Sequence, residues 1–454
     1  VSVAQAFSTW IHPLAVLAPA ASLVATLTEP LVHGDTAHVY KLPADLLAKA
    51  QAMESARTAL YFGGAAWTIG FTAILVRFRL GAHIARLADR STRRRAGPLS
   101  RPWLAGLIAV PLWLLVLALI GLPVSLLSHR LSLAYKLSVE GWPGWWSDWA
   151  RSTLLGVAVG TLVLSSLYAL LRHTRRAWFW FWLLTLPCIV AGVFLTPLVV
   201  DPLFNHFSPL GDRNPALVAQ LERVAARGGM TIPPSRMFVM DASRRYTGMN
   251  AYVTGFGASK RIVIWDTTLP TTPGTPKPSK PGTAMSIDEL LDIYGHEQGH
   301  YVLGHIWKGM LYTAVLLFAF YWLAFRLIEA AIRRRGEAWQ IAANPSDWSS
   351  LGLVLLVAGV LSFLADPLAN GFSRMEEHQA DVYGQEVIHG LVPDPQGIAV
   401  EDFNRLGRVW LEDPEPNRFV VWWTYSHPPT SDRANFAATY DPWRPGGRPR
   451  YFPH

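Results

Sequence analysis

The chain has 454 residues, of which 51% are hydrophobic and only 16% charged, with 20 tryptophans and a formal charge of +8. A water-soluble domain of this size would carry nearer a quarter charged residues, so the composition excludes an ordinary soluble enzyme and points to the bilayer. The basic excess sits in short arginine clusters beside apolar runs, which excludes a nucleic-acid-binding face, and the single Cys188 excludes a disulfide framework or a cysteine metal site.

A membrane span needs about 20 mostly apolar residues. The first such run, 10–28, is interrupted by His12, Pro13 and Pro19, and no basic residue precedes it, which argues against a secretory signal. Clearer spans follow at 59–76, 102–127, 153–171, 177–200, 308–328 and 349–369. The third of the five runs before residue 201 is bounded by unequal loops. The loop 77–101 holds eight arginines, the connector after 171 has Arg172, Arg175 and Arg176, and the loop after 328 has Arg333, Arg334 and Arg335. The alternating loops 29–58 and 128–152 are poorer in basic residues, and the second carries Trp142, Trp145, Trp146 and Trp149, an interfacial belt. The arginine-rich loops therefore face the cytoplasm, which places 201–307 and the tail after 370 on the other face. Cys188, inside the 177–200 run, reads as a small buried hydrophobe.

The segment 201–307 reads as a soluble insertion between the spans of 1–200 and those of 308–370. Residues 217–228 have helical periodicity, while 236–240 (RMFVM) and 261–265 (RIVIW) read as strands, with a strand and turn at 248–257. Residues 270–283 are too rich in proline for either and read as a solvated loop. A helix then starts at a capping box, Ser286 to Glu289, and runs through His305.

That helix contains HEQGH at 296–300. Histidines four apart lie on one face about 6 Å from each other, close enough to share a zinc ion. Glu297, one position round, can take a proton from water at that ion. A hydrolytic centre needs a third protein ligand and an open position. The best downstream candidate is Glu377 in SRMEEHQAD (373–381), which follows the last span and reads as helix up to Gly384. Asp381, one turn on, could hydrogen-bond the far nitrogen of a ligand histidine. His305, five positions past His300 on a continuous helix, falls off the ligand face, and His378 points elsewhere. A transporter would need more ionisable groups in its spans than Asp366 and His12, and an inactive zinc-binding scaffold would have no need of Glu297.

HEQGH, SRMEEHQAD with its E-x-x-A-D, and SHPPTSDR at 426–433 occur in the order seen in type I CAAX prenyl proteases, membrane-embedded zinc metallopeptidases with HtpX-like proteases as distant relatives. PLFNHFSPL at 202–210 and NAYVTGFGASKRIVIWDTTL at 250–269 also resemble that family. The resemblance implies a polytopic α-helical membrane protein of about seven transmembrane helices enclosing a chamber, with an inserted α+β gluzincin-type domain completed by 371–454. It implies one Zn(2+) per chain on His296, His300 and Glu377, Glu297 as general base and acid, and Asp381 behind a ligand. His427 is implied to bond the scissile carbonyl or its oxyanion, Arg374 and Arg433 to be ion-paired near the site, and Asn250, Ala251 and Tyr252 to lie on an edge strand where an extended peptide pairs. The implied substrate is a peptide or protein, lipidated or not, at the bilayer. Two departures stand out. Gln298 replaces the family's usual Leu at a position pointing away from the metal, and the arginine count turns the catalytic face outward, whereas eukaryotic members face the cytosol. The second departure favours a bacterial plasma-membrane enzyme acting on membrane-associated or extracytoplasmic polypeptides over a prenyl-protein endopeptidase.

Overall fold

A computed structural model describes residues 39–93, 101–255, 260–270 and 284–452. The run 10–28 and all but the first residue of the proline-rich loop lie outside the described residues. In chain order the main helices before the sheet are α1 (Ala44–Arg77), α2 (Leu80–Thr92), α3 (Arg101–Ala134), α4 (Trp142–His173) and α5 (Ala177–Leu195), the last extended by a π turn into Asp201–Phe204. After it come α6 (Pro215–Arg227), α7 (Ile287–Val302), α8 (His305–Trp339), α9 (Leu351–Ile388), α10 (Pro395–Trp410), α11 (Arg418–Thr424) and α12 (Thr430–Thr439).

Six of these, α1, α3, α4, α5, α8 and α9, are long and apolar enough to cross a membrane, and each overlaps one of the six clearer spans expected. A helix satisfies its own backbone, which hydrocarbon cannot do, and this lets Pro111, Pro123 and Pro187 sit inside spans at tolerable cost. The spans form a closed ring in the order α1, α3, α4, α5, α8, α9 and back to α1. The apolar stretches of α1, α4 and α5 are only 6–11% buried, while Trp113 of α3, Tyr168 of α4, Ile328 of α8 and Leu351 of α9 share one buried core. Tyr61 on α1 donates to Asp366 on α9 across one of its seams. Cys188 is exposed on α5 and not buried as expected. A face of a span turned to lipid needs no protein neighbour to stay dry.

The arginine-rich connectors meet at one end of the ring. Arg79 Nε donates to the Ala338 carbonyl at 3.1 Å, Arg86 Nη1 to Gln340 Oε1 at 3.1 Å, and Arg172 Nη2 to the Ser346 carbonyl at 3.2 Å. The other end carries a four-stranded sheet of β1 (Phe207–Pro209), β2 (Met237–Met240), β3 (Ala251–Thr254) and β4 (Arg261–Trp265), in the order β1-β2-β4-β3. β2 and β4, two of the three strands read from sequence, are parallel neighbours, while β1 and β3, the third of them, pair antiparallel on the outside. β3 is therefore an edge. One core joins this sheet to α6, α7, α9 and α10 through Leu217, Leu221, Met237, Ile264, Leu290, Tyr383, Val387 and Val409. α9 has 38 residues, about 57 Å at 1.5 Å per residue, against about 30 Å of hydrocarbon, so its final turns leave the membrane layer and enter that core.

Two helix boundaries differ from expectation. Gly384 lies inside α9, which continues to Ile388, and the HEQGH helix stops at Val302. Gly304 takes φ +71°, a left-handed conformation that a residue without Cβ adopts readily, and α8 starts anew at His305.

Candidate active site

α7 starts as its sequence dictates. The Ser286 side chain accepts from the Glu289 N–H at 3.2 Å, and Glu289 Oε2 accepts from the Ser286 N–H at 2.6 Å, which satisfies two otherwise orphaned donors. Three turns later His296 and His300 project towards α9. The two helices approach so closely because glycines line their crossing. A Cβ on Gly384 would lie 2.8 Å from the His296 backbone nitrogen, and one on Gly299 would lie 3.0 Å from Tyr383 Cβ.

This crossing brings Glu377 to the histidines. His296 Nε2 is 3.2 Å from Glu377 Oε2, His300 Nε2 is 3.5 Å from Glu377 Oε1, and the two Nε2 atoms are 3.1 Å apart. One ligand atom from each residue fits within 4.8 Å of the others. Glu377 Oε2 is buried without a well-formed hydrogen bond. Two imidazole lone pairs and a carboxylate facing one point repel unless a cation lies between them, and this donor set suits zinc or another first-row divalent ion. Without a metal a proton fills the gap. Burial opposes charge on His296, but the adjacent carboxylates of Asp381 and Glu377 overcome it and raise that histidine to about 10.

The far side of His296 is fixed. Asp381 Oδ1 lies 2.8 Å from His296 Nδ1, and Arg433 grips the same carboxylate with Nη2 at 2.6 Å and Nε at 2.9 Å. A proton held on Nδ1 leaves Nε2 with its lone pair turned to Glu377. Arg433 stacks on Phe403 at 4.5 Å. Burial pushes Asp292 up to about 7 and Asp402 well above the carboxylate range, and Asp381 is the carboxylate that Arg433 bonds directly.

Glu297 faces the sheet edge, where its Oε2 accepts from the Val253 N–H of β3 at 3.4 Å. Ala251 and Tyr252 lie in β3, and Asn250 directly precedes it, exposed, with its N–H donating to Thr268 Oγ1 at 2.9 Å. His427 Nε2 lies 3.3 Å from Glu377 Oε1, and the His427 side chain is 56% exposed. Surrounding protein still desolvates that ring, which outweighs the Glu377 carboxylate and holds His427 below the ordinary imidazole value. Ser426 Oγ, 3.0 Å from His427 Nδ1, can donate there and leave the ring proton on Nε2.

Other expectations resolve individually. Arg374 bonds the carbonyls of Val421, Trp422 and Tyr425, so it caps α11 and does not make the ion pair expected of it. A guanidinium at the C-terminus of a short helix satisfies carbonyls that have no intrahelical partner. Gln298 is fully buried away from His296, His300 and Glu377, its Nε2 donating to the Ala225 carbonyl at 3.0 Å. His378 packs edge-on against Phe436. His305, set aside in the sequence, is buried with Nδ1 2.9 Å from His300 Nδ1, because the break at Gly304 turns it back towards the site. Sequence reasoning also missed Ser426 and Gly384. The Leu303-Gly304 pair was the available signal for His305, and nothing local marks the other two.

A model of Peptidase family M48 matches residues 212–440, and one of the CAAX prenyl protease N-terminal part, five membrane helices, matches 37–206. The chain is 31% identical over 324 residues to the uncharacterized metalloprotease YhfN of Bacillus subtilis, covering 71% of each. It is 30% identical over 237 residues to the CAAX prenyl protease 1 homolog of Dictyostelium discoideum, spanning 52% of that relative's length. The crystal structure of S. mikatae Ste24p shares the fold, with a TM-score of 0.70 at 21% identity over 91% of this chain and 95% of that one.

Proposed function

The chain belongs to peptidase family M48, on its CAAX prenyl protease branch, and as a multi-pass membrane metallopeptidase we propose that it cleaves peptide bonds with zinc held by His296, His300 and Glu377. The observation that carries this reading is the convergence of those three side chains beside Glu297, with Glu297 against an edge strand. A zinc ion there would supply Lewis acidity towards water and the scissile carbonyl.

The protein's own residues do the rest. An extended substrate adds to the free edge of β3 by backbone pairing, which lays its scissile bond beside Glu297. Glu297 takes a proton from the attacking water as the new C–O bond forms, then delivers it to the amine as the C–N bond breaks. His427, neutral and carrying its proton on Nε2, donates to the oxygen that gains charge, an interaction worth about 3 kcal/mol in comparable sites. Asp381, held by Arg433, keeps the His296 proton on Nδ1 throughout. Residues 201–307 and 371–454 act together as the catalytic part. Glu297→Ala in purified protein should keep its metal and lose peptidase activity, and cleavage at the wild-type rate would overturn the assignment of the base.

The substrate reading is a membrane-associated or extracytoplasmic polypeptide, in a bacterial plasma membrane with the site facing outward. What supports it is the arginine-rich connectors gathered at the end of the ring remote from the site. A second reading, cleavage of prenylated C-termini, draws on the names of relatives such as the D. discoideum homolog. A peptide pair with and without an isoprenoid tail separates them, because equal cleavage of both favours the first and dependence on the tail favours the second.

A further inference from the structure

The two histidines of HEQGH are supported unequally. His296 Nδ1 faces the Asp381 carboxylate at 2.8 Å, whereas His300 Nδ1 faces another imidazole, His305 Nδ1, at 2.9 Å. The His300 and His305 rings meet edge to face with centroids 5.0 Å apart, and His305 is only 4% exposed. His305 Nε2 in turn lies 3.3 Å from Gln379 Oε1, on α9 two residues beyond Glu377.

A nitrogen-to-nitrogen hydrogen bond has one donor, and here the chemistry fixes which. If the site holds a metal as proposed above, His300 Nε2 must present a bare lone pair beside Glu377, so its proton sits on Nδ1. His305 Nδ1 then has to accept, which puts the His305 proton on Nε2. That proton has an acceptor in Gln379 Oε1. One assignment satisfies all three contacts. It also requires the helix break, since in a continuous helix five residues rotate a side chain about 140° from its partner.

We propose that His305, oriented by Gln379, is the positioning residue for the ligand His300, fixing its tautomer and ring orientation as Asp381 does for His296. The relay Gln379–His305–His300 links α9 to α8 and α7 on the side of the site opposite Arg433. A neutral imidazole is a weaker acceptor than a carboxylate, so His300 is the less basic of the two histidine ligands.

The test is zinc affinity of the full-length protein, by competition with a chromophoric chelator, together with the visible absorption of the Co(II)-loaded form. His305→Ala should lower zinc affinity about 10- to 100-fold and change the Co(II) spectrum. In His305→Asn the amide oxygen takes the place of Nδ1 and can accept the same proton, so affinity should stay within about threefold of wild type. Gln379→Leu should weaken binding about three- to tenfold in the wild-type background and have no further effect on His305→Ala. Wild-type affinity in His305→Ala, an asparagine variant as weak as the alanine one, or an unchanged Gln379→Leu would overturn the proposal. The asparagine and Gln379 variants decide the matter if the alanine variant does not fold. A wild-type protein that binds no zinc overturns the reading of the site as well, and so is distinguishable from failure of the relay alone.

Discussion

With a metal bound as proposed, a proton and that ion compete for one lone pair at His296. With Asp381 and Glu377 holding that histidine at about 10, the empty site is protonated through the neutral range, and loading must expel the proton. Zinc affinity should therefore rise about tenfold per pH unit between about pH 6 and 8, with close to one proton released per ion in calorimetry across buffers of different ionisation enthalpy. A flat profile would mean that His296 is already neutral. His427 stands apart from this competition. Its replacement by alanine should leave metal content unchanged and lower kcat about 100- to 1000-fold, as loss of one oxyanion donor does elsewhere. Gln298 tests the opposite expectation. It gives one hydrogen bond to the Ala225 carbonyl, but its own Oε1 is buried without a partner. Gln298→Leu removes both, so stability by denaturant titration should change by less than about 1 kcal/mol, and activity hardly at all. The convergence of His296, His300 and Glu377 was legible in the sequence because each belongs to a short pattern, HExxH or E-x-x-A-D, that a helix converts directly into geometry. His305 and Ser426 were not, because each acts through a neighbour whose position depends on a turn.

The element that makes the site is the crossing of α7 and α9. Neither helix alone carries all three proposed ligands, and 81 and 77 positions of chain separate His296 and His300 from Glu377. Glycines at the contact set their spacing, and Gly384 meets backbone, which cannot rotate aside. Gly384→Ala should force the helices apart, lowering both thermal stability and zinc content while expression of the membrane part persists. A variant with full zinc content would show that the crossing has slack. The sequence declared α7 by its capping box, β2 and β4 by their β-branched and aromatic runs, and six spans by hydrophobicity. It did not declare β1, three residues ending in a proline, or the stop at Val302, because a single Gly within an amphipathic run is as compatible with a continuous helix as with a break.

On the scale of the whole molecule, the six spans among the described residues close into a ring, the arginine-rich connectors meet at one end, and the sheet with the cluster of His296, His300 and Glu377 caps the other. The ring order was not legible, since hydrophobic periodicity identifies spans but not their neighbours. The sidedness proposed from the arginine count has a direct check. With Cys188 replaced by serine, a cysteine at Ser279 should react with an impermeant maleimide from outside intact spheroplasts, and one at Arg94 only after permeabilisation. The reverse pattern would place the site in the cytoplasm and restore the prenyl-protein reading. Sidedness, substrate and mechanism all presuppose the joint grip of His296, His300 and Glu377 on one ion. The most direct measurement is elemental analysis of purified protein, wild type against Glu377→Gln. The expected result is about one zinc per wild-type chain and a small fraction of that in the variant. Equal zinc in the two, or none in either, would contradict it.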